Sequence, residues 1–174
     1  MEKMEIRQER AADYGAVCAL VKAAFSTAPR SDGNEHRLVE ALRKSASFIP
    51  ELSLVAVEGG QIVGHILFTK AFVGQTAVLA LAPLSVLPSR QRRGIGRALV
   101  LKGHDMAKRL GYHYSVVLGD PSYYSKAGYR PARLYGITPP FDVPDENFMA
   151  VKLNACASRV TGVLKYDRAF GIDP

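Results

Sequence analysis

The stretch from Thr76 to Val86 constrains the fold more than any other part of the chain. Its residues carry no charge and are apolar almost throughout. A continuous apolar run of this length is typical of a strand at the centre of a sheet that is covered on both faces. Pro88 ends the strand, and Gly94–Leu110 follows as the most regular helix pattern of the chain, with Gly111 at its end. The pattern therefore predicts an α/β domain with a buried central sheet.

The remaining patterns predict a chain order of β-α-α-β-β-β-α-β-α-β-β. The Gly59-Gly60 pair indicates a hairpin between Ser53–Glu58 and Gln61–Phe72. Apolar residues at helical spacing predict helices over Ala12–Ala24 and Glu35–Lys44. The other predicted strands are Met4–Gln8, Tyr114–Leu118, Tyr129–Leu134 and Phe148–Leu153. A short helix is predicted over Pro121–Ala127, and a long surface loop over 136–146.

These elements predict a single mixed α/β domain over residues 4–153. A C-terminal extension follows, residues 154–174, and its apolar part is strand-prone. The extension either covers the domain or contributes to a dimer, so a homodimer is possible.

The basic charge of the chain is concentrated in one segment. The formal net charge is +7, from 23 Lys and Arg against 16 Asp and Glu. Between Gly59 and His104 there is no acidic residue, and the segment holds six cations: Lys70, Arg90, Arg92, Arg93, Arg97 and Lys102. Such a segment predicts an anionic partner, which is a nucleic acid, a phospholipid or a phosphorylated small molecule.

The two cysteines and the short apolar runs limit the cellular compartments in which the protein is expected. Cys18 and Cys156 fit neither a disulfide framework nor a metal-ligand spacing, so we expect a reducing compartment and no metal. The longest apolar runs fall far short of the ~20 residues that span a membrane. The N-terminal sequence MEKMEIRQER lacks the apolar region of a signal peptide. We therefore expect a cytoplasmic protein that binds no membrane.

The segment 84–100 has the features of a phosphate site. Gly94 and Gly96 lie in the first turn of the predicted helix, where unpaired N–H groups and the helix dipole favour an anion. Four arginines surround this helix start, which is unfavourable unless an anion binds there. Leu99 excludes a dinucleotide fingerprint, and no Gly-Lys-Ser/Thr follows to make a P-loop. A glycine-containing turn with a solvated basic face remains the alternative.

Two motifs in this part of the chain resemble those of the GNAT acetyltransferases. Gln91-Arg92-Arg93-Gly94-Ile95-Gly96 matches the signature Gln/Arg-x-x-Gly-x-Gly/Ala, and Tyr123–Tyr129 resembles the element Tyr-x-x-x-Gly-Phe/Tyr. The order of elements agrees with that family from about Met4 to Leu153. Segments 81–86, 118–124 and 131–137 are also similar to the predicted acetyltransferases of the YhbS type, whose acceptor substrates are mostly unassigned.

The resemblance implies the GNAT fold, in which a central mixed sheet splays into a V and is flanked by helices. It also implies an N-acetyltransferase that uses acetyl-CoA as co-substrate and passes the acetyl group directly to a primary amine of a small molecule or peptide. The strand edge that would pair with pantetheine is Leu84, Ser85 and Val86. The residues that would bind the pyrophosphate are Gln91, Arg92, Arg93, Gly94, Ile95, Gly96 and Arg97.

The resemblance also implies the catalytic groups. Tyr124 would be the general acid for the departing thiolate, the alternative being that it is one more packing aromatic. Glu35, at the start of a helix beside a polar loop, and His65, in a strand, are the candidates for the general base. His36, Asp120 and Ser85 are weaker alternatives for that role.

Two other functions remain as alternatives to the enzyme. One is a domain of the same fold that binds acetyl-CoA as a sensor or partner module without catalysis. The other is a nucleic-acid-binding domain, but the arginines cluster at one helix start instead of lining a broad face, so we expect no nucleic-acid partner. Loops 26–37 and 135–147 would form the pocket for the acceptor, and the spacing of their residues indicates no particular acceptor.

Overall fold

The computed structural model describes residues 3–172, in which a nine-stranded sheet carries helices on both faces. The strands are β1 Met4–Gln8, β2 Phe48–Glu58, β3 Gln61–Val73, β4 Thr76–Val86, β5 Tyr114–Leu118, β6 Arg130–Pro131, β7 Ile137–Thr138, β8 Phe148–Lys152 and β9 Gly162–Lys165. The helices are α1 Tyr14–Phe25, α2 Glu35–Arg43, α3 Ile95–Arg109 and the single turn α4 Pro121–Tyr124. The predicted mixed sheet flanked by helices is confirmed.

The strands follow the order β1-β2-β3-β4-β5-β8-β6 across the sheet. The first four are antiparallel, β4 and β5 are parallel, and β8 is antiparallel to both β5 and β6. Gly59 and Gly60 join β2 to β3 with φ of 58° and 75°. Two successive left-handed residues make the hairpin turn whose twist matches the strands, and glycine adopts that conformation at low cost.

Helices cover the two faces of β3 because successive side chains of a strand point in opposite directions. Ile66 and Phe68 pack in one buried cluster with Leu99 and Val100 of α3. Leu67, between them, belongs to a second cluster that holds Val17 and Val21 of α1 and Leu42 of α2. The α3 face and the α1/α2 face of the sheet are therefore separate environments, a distinction that matters for every residue of the site.

The predicted strand Tyr129–Leu134 is largely wrong. Only Arg130–Pro131 pairs with β8, and the chain then forms a 3-10 turn over Ala132–Tyr135 that ends at Gly136, with φ of 82°. Pro131 has no N–H to extend the strand ladder, which explains the early end. The predicted surface loop 136–146 contains the short strand β7.

The C-terminal stretch contributes a strand to the same sheet. In β9, Leu164 is fully buried and pairs with Val73 at the end of β3. The other side of β9 runs parallel to β7, with Ile137 opposite Gly162. Residues 162–165 therefore cover the edge of β3 at its end, where β3 extends beyond β2.

A first prediction concerns the contact between α3 and the sheet. A Cβ added to Gly103 would overlap the ring of Phe68, a fully buried side chain with little freedom to move. We expect Gly103→Ala to lower the free energy of unfolding by about 1–3 kcal/mol in urea denaturation, through overpacking.

The control for that experiment is Gly15→Ala in α1. A Cβ on Gly15 has no atom within 4 Å, so this variant should be neutral or stabilising by up to about 1 kcal/mol, as alanine is the better helix former. Equal stability of the two variants would contradict the close packing of α3 on β3.

Candidate functional site

A cleft opens where β4 and β5 separate. In residues 3–172 the two strands pair at only two positions, Leu79 with Ser115 and Ala80 with Val116. β4 then has a bulge, because Phe68 faces Leu81 whereas Ile66 faces Leu84. Beyond the bulge β4 stays paired with β3, while β5 stays paired with β8. The edge of β4 that faces away from β3 is therefore free of β5 up to Val86.

The cleft has a volume of about 400 Å³ and lies on the α3 face of the sheet. Eight of the ten residues predicted to bind the cofactor line it: Leu84, Val86, Gln91, Arg92, Gly94, Ile95, Gly96 and Arg97. Three further lining residues are Arg90, Tyr123 and the predicted general acid Tyr124. One strand end, one helix start and the single turn α4 therefore converge on a single cavity.

Two predicted cofactor residues lie outside this lining. The side chain of Arg93 is exposed at the surface. Ser85 lies between Leu84 and Val86, and its side chain is 1% exposed. Because side chains alternate along a strand, Ser85 points to the α1/α2 face, away from the cleft.

The loop before α3 holds its shape through two left-handed residues. Arg92 has φ of 63° and Gly94, the residue that caps α3, has φ of 82°. The side-chain amide of Gln91 donates to the carbonyl of Val86 at 3.3 Å, which ties the loop to the end of β4. The first N–H groups of α3 have no partner within the helix, and the residues that carry them, Ile95, Gly96 and Arg97, line the cleft.

The positive charge around this loop has little compensation. Arg90 lies 3.6 Å from the carboxylate of Glu58 at the end of β2. Among the described residues, no carboxylate lies within 4.0 Å of Arg92, Arg93 or Arg97. Uncompensated cations at the positive end of a helix dipole favour an anionic ligand.

Tyr123 is a lining residue that sequence reasoning missed. Its side chain is 41% exposed, and its hydroxyl occupies the space that a Cβ on Gly96 would take. Gly96 is therefore needed for the close approach of a phenol as well as for access to the helix start. The available signal was the first tyrosine of the Tyr123-Tyr124 pair, but only the structure distinguishes a lining residue from a packing residue there.

Tyr124 presents a protonated phenol to the cleft. Its ring packs edge to face against Tyr123 and Tyr129, at centroid distances of 5.0 and 5.6 Å, and lies so close to Gly119 that a Cβ there would overlap it. Burial raises the pKa of the Tyr124 hydroxyl well above its usual value. A phenol of raised pKa stays protonated at neutral pH and can act as a proton donor.

Behind Tyr124 lies a buried hydrogen-bonded group. The hydroxyl of Tyr129 lies 2.8 Å from Oγ of Ser115 and 3.0 Å from Nε2 of His104. Burial, with a smaller effect of Lys108, lowers the pKa of His104 to about 4. The imidazole is therefore neutral at physiological pH, and the group supports the ring that Tyr124 packs against.

The structure separates the two predicted general bases from the cleft lining. Glu35 is the first residue of α2 and accepts a hydrogen bond from the hydroxyl of Ser31 in the preceding loop. His65 is fully buried on the α1/α2 face, 3.2 Å from Oγ of Ser53 and 3.8 Å from Glu9. Burial lowers the pKa of His65 to about 4, partly offset by Glu9.

The weaker alternatives for the base differ in their surroundings. Asp120 caps α4, where its Oδ1 accepts hydrogen bonds of 2.8 Å from both the backbone N–H and the hydroxyl of Ser122. These bonds lower the pKa of Asp120, so it is ionised and positions α4. His36 follows Glu35 in α2 and lines a small cavity with Phe25.

Two kinds of feature are absent from the described residues. Residues 3–172 contain no helix that combines the length and hydropathy of a membrane span. In the same range, no group of three or more His, Cys, Asp or Glu side chains has the arrangement of a metal site.

Comparisons of sequence agree with this geometry. Residues 16–129 match the model of the acetyltransferase (GNAT) family. The uncharacterized N-acetyltransferase YjhQ of Escherichia coli strain K12 is 36% identical over 139 residues, which are 75% of this chain and 77% of that protein. The uncharacterized N-acetyltransferase YhbS of the same strain is 30% identical over 171 residues, 96% of this chain and 98% of that protein.

Two solved structures resemble the fold over almost its full length. The crystal structure of Escherichia coli YhbS in complex with CoA has a TM-score of 0.89 and 28% identity, and covers 98% of this chain and 93% of that chain. A GNAT acetyltransferase from Brucella melitensis in complex with acetyl-CoA has a TM-score of 0.82 and 31% identity, and covers 98% and 99%.

A second prediction concerns the pH dependence of stability. His65 and His104 have lowered pKa values in the folded state, so the unfolded chain binds protons more readily from pH 6.5 down to about 4. The free energy of unfolding should therefore fall as the pH drops below 6.5, by up to about 1 kcal/mol per pH unit for each histidine.

The measurement is urea denaturation from pH 7 to pH 5 of wild type and His104→Gln. The variant can still reach Tyr129 with an amide but cannot take up a proton, so its stability should depend less steeply on pH. An unchanged slope would show that His104 does not contribute to the pH dependence.

Proposed function

The chain belongs to the GNAT acetyltransferase family, and from this premise we propose that it transfers an acetyl group from acetyl-CoA to a primary amine of a small molecule or peptide. The observation that carries the proposal is the juxtaposition of a free strand edge, an uncompensated basic helix start and a protonated phenol in one cleft. The relatives crystallised with CoA and acetyl-CoA support the choice of thioester.

We propose that the cleft holds the co-substrate along its length. The pyrophosphate would bind the N–H groups at the start of α3, with Arg92 and Arg97 beside it. Arg93, which is exposed at the same loop, is proposed to reach the outer phosphates. The pantetheine arm would pair with the backbone of Leu84, Ser85 and Val86, and the N–H of Val86 would polarise the thioester carbonyl.

Acetyl transfer in this cleft would proceed by direct attack. The amine nitrogen forms a bond to the carbonyl carbon, and the carbon–sulfur bond breaks with its electrons on sulfur. Tyr124 is proposed to donate its phenolic proton to that sulfur, since its raised pKa keeps it protonated at neutral pH. The acceptor ammonium must first lose a proton, and we propose Glu35 and His65 as the alternative acceptors of that proton. The second proton, which the nitrogen loses as the amide forms, would return to the Tyr124 phenolate.

We place the proposed reaction in the cytoplasm. The proposed ligands are acetyl-CoA and an amine acceptor, and no nucleic-acid or membrane partner is proposed. A homodimer is compatible with this proposal. A catalytically silent acetyl-CoA sensor is the second candidate, and the buried neutral phenol of Tyr124 in the cleft favours the enzyme over it.

A third prediction tests the co-substrate. Acetyl-CoA should raise the melting temperature of the wild type through preferential binding to the folded state. Arg97→Ala should lower the affinity for acetyl-CoA about 10-fold in calorimetry, because it removes a charge next to the pyrophosphate site. Arg109→Ala, at the other end of α3 where it pairs with Asp105 at 3.1 Å, is the matched control and should keep wild-type affinity.

Oligonucleotides in the same assay test the nucleic-acid alternative. Stabilisation by single-stranded RNA and not by acetyl-CoA would contradict the proposed function. Transfer is then measured as release of free thiol with spermidine, glucosamine or a lysine-containing peptide as acceptor. Binding of acetyl-CoA without turnover on such a panel would favour the sensor.

A fourth prediction tests the general acid. Tyr124→Phe removes one oxygen and keeps the ring that packs against Tyr129, so kcat should fall about 100-fold while the Kd for acetyl-CoA stays close to that of the wild type. Tyr14→Phe is the control, because Tyr14 packs under the guanidinium of Arg43 at the start of α1 and is not among the residues that line the cleft. If Tyr124→Phe turns over as fast as Tyr14→Phe, the assignment is wrong.

A further inference from the structure

The segment that joins β5 to α4 is bonded to an asparagine at the start of β8. β5 ends at Leu118, which lies opposite Phe148 in the antiparallel ladder of β5 and β8. The next two residues outward are Gly119 and Asn147, and the backbone N–H of Gly119 donates to the carbonyl of Asn147 at 2.9 Å. The ladder therefore continues by one hydrogen bond beyond the last pair of the two strands.

The side chain of Asn147 supplies the second hydrogen bond of this pair. Residues of a hydrogen-bonded antiparallel pair normally exchange both of their backbone N–H···O bonds. The backbone N–H of Asn147 instead donates to the carbonyl of Pro144 at 3.0 Å, in the 3-10 turn Asp145–Asn147. Nδ2 of Asn147 donates to the carbonyl of Gly119 in its place, at 3.2 Å. The side-chain amide thus replaces the backbone donor that the turn has used.

Gly119 is the backbone on which the ring of Tyr124 rests. A Cβ added to Gly119 would lie 2.4 Å from Cε2 and 2.8 Å from Cδ2 of Tyr124, so no side chain separates the ring from this backbone. The ring also packs against Tyr129, whose hydroxyl is held by Ser115 and His104. The position of the Tyr124 ring therefore depends on Gly119 as well as on the buried group behind it.

The hydrogen bonds within α4 set the shape of this turn. Oδ1 of Asp120 accepts from the backbone N–H of Ser122 at 2.8 Å, and the carbonyl of Asp120 accepts from the N–H of Tyr124 at 3.0 Å. All of these groups lie within five residues of one another, so they move together. The two hydrogen bonds between Gly119 and Asn147 attach the start of the turn to the sheet.

We propose that Asn147 is a positioning residue for acetyl transfer, which holds the hydroxyl of Tyr124 where it protonates the leaving sulfur. The inference rests on the proposed function, in which Tyr124 is the general acid. Asn147 is not among the residues that line the cleft, so it would act through Gly119 and Tyr124 and not by contact with the co-substrate.

The step that Asn147 supports is a proton transfer, and such a step depends steeply on position. The carbon–sulfur bond breaks with its electron pair on sulfur, the phenolic proton of Tyr124 goes to that sulfur, and the phenolate takes the second proton of the nitrogen. The donor must lie within hydrogen-bond reach of the sulfur, and a displacement of about 1 Å can lower the rate about 100-fold. Loss of one of the two hydrogen bonds at Gly119 is expected to produce a smaller displacement than that.

The test compares Asn147→Ala with Asn154→Ala. The two asparagines lie at opposite ends of β8, and Oδ1 of Asn154 accepts from the backbone N–H of Cys156 at 2.9 Å. Each variant removes one hydrogen bond between an asparagine side chain and the backbone, so the two melting temperatures should fall by similar small amounts.

Activity is measured with spermidine, glucosamine or a lysine-containing peptide, whichever the wild type acetylates. Asn147→Ala should lower kcat about 10-fold and leave the Kd for acetyl-CoA unchanged, because the start of α3 is not altered. Asn154→Ala should keep both values. A wild-type kcat in Asn147→Ala overturns the inference.

Asn147→Asp separates the donor from the shape of the side chain. A carboxylate fills nearly the same volume as the amide, but it has no proton to donate and would face the carbonyl of Gly119. The kcat of Asn147→Asp should therefore fall at least as far as that of Asn147→Ala. Turnover of Asn147→Asp at the wild-type rate would show that the hydrogen bond is not needed, and would overturn the inference.

A double variant with Tyr124→Phe shows whether Asn147 acts through the phenol. Once the hydroxyl is gone, Asn147→Ala should lower kcat less than about 2-fold further, because the group that it positions is absent. A loss of about 10-fold in both backgrounds overturns the inference, since Asn147 would then support another part of the site.

Carbon-13 NMR of labelled tyrosine gives a readout that needs no turnover. The ring signals of Tyr124, assigned by their loss in Tyr124→Phe, should change in Asn147→Ala and not in Asn154→Ala. Unchanged signals in Asn147→Ala overturn the inference even in an active enzyme. Absence of thiol release by the wild type with every amine tested overturns the proposed function, and with it the role of Asn147 in catalysis, whatever the signals of Tyr124.

Discussion

The parallel strands β4 and β5 are hydrogen-bonded at two residue pairs and then diverge, and the architecture of the cleft depends on that divergence. β4 has a bulge between Leu81 and Leu84 and stays paired with β3 beyond it, while β5 stays paired with β8 in an antiparallel ladder. A free strand edge in the middle of a sheet leaves backbone donors and acceptors unpaired, which is unfavourable unless a ligand or water pairs with them. The same divergence gives a ligand a backbone to pair with.

The start of α3 follows from this arrangement, because it stands at the mouth of the cleft. Arg92 adopts a left-handed conformation that costs a non-glycine residue of the order of 1 kcal/mol, and three arginines lie near the helix dipole without a carboxylate within 4.0 Å in the described part of the chain. Local conformation and local charge are thus both unfavourable for the protein alone. Binding of a polyanion would offset these costs, and the stability of this loop would then depend on its ligand.

The backbone was more predictable from the sequence than the directions of side chains. The strand Thr76–Val86 and the start of α3 follow from hydropathy, proline and glycine, which act over a few residues. Tyr129–Leu134 was predicted as a strand because its residues favour one, but the pairing stops at Pro131. Pro131 has no N–H for the ladder, but the effect of a proline depends on which side of it faces the partner strand, and the sequence of the segment does not contain that register.

The same limit applies within the site. The motif located the residues that line the cleft. It did not indicate that the side chain of Ser85 lies on the opposite face of the sheet from those of Leu84 and Val86. That orientation depends on the bulge, and a shift of one residue would exchange the two faces. Likewise His65 and Ser85 are 20 positions apart in the sequence, and only the register of β3 and β4 brings them opposite each other.

The uncompensated arginines at the start of α3 also have a consequence for work with the purified protein. Inorganic phosphate, sulfate and free nucleotides carry the charge that this loop attracts, and at millimolar concentrations they compete for it. A phosphate buffer would raise the melting temperature, weaken the measured affinity for acetyl-CoA and inhibit turnover, all by the same occupancy. Ionic strength would act in a similar direction by screening the arginines. The choice of buffer therefore enters every affinity and rate measured for this protein.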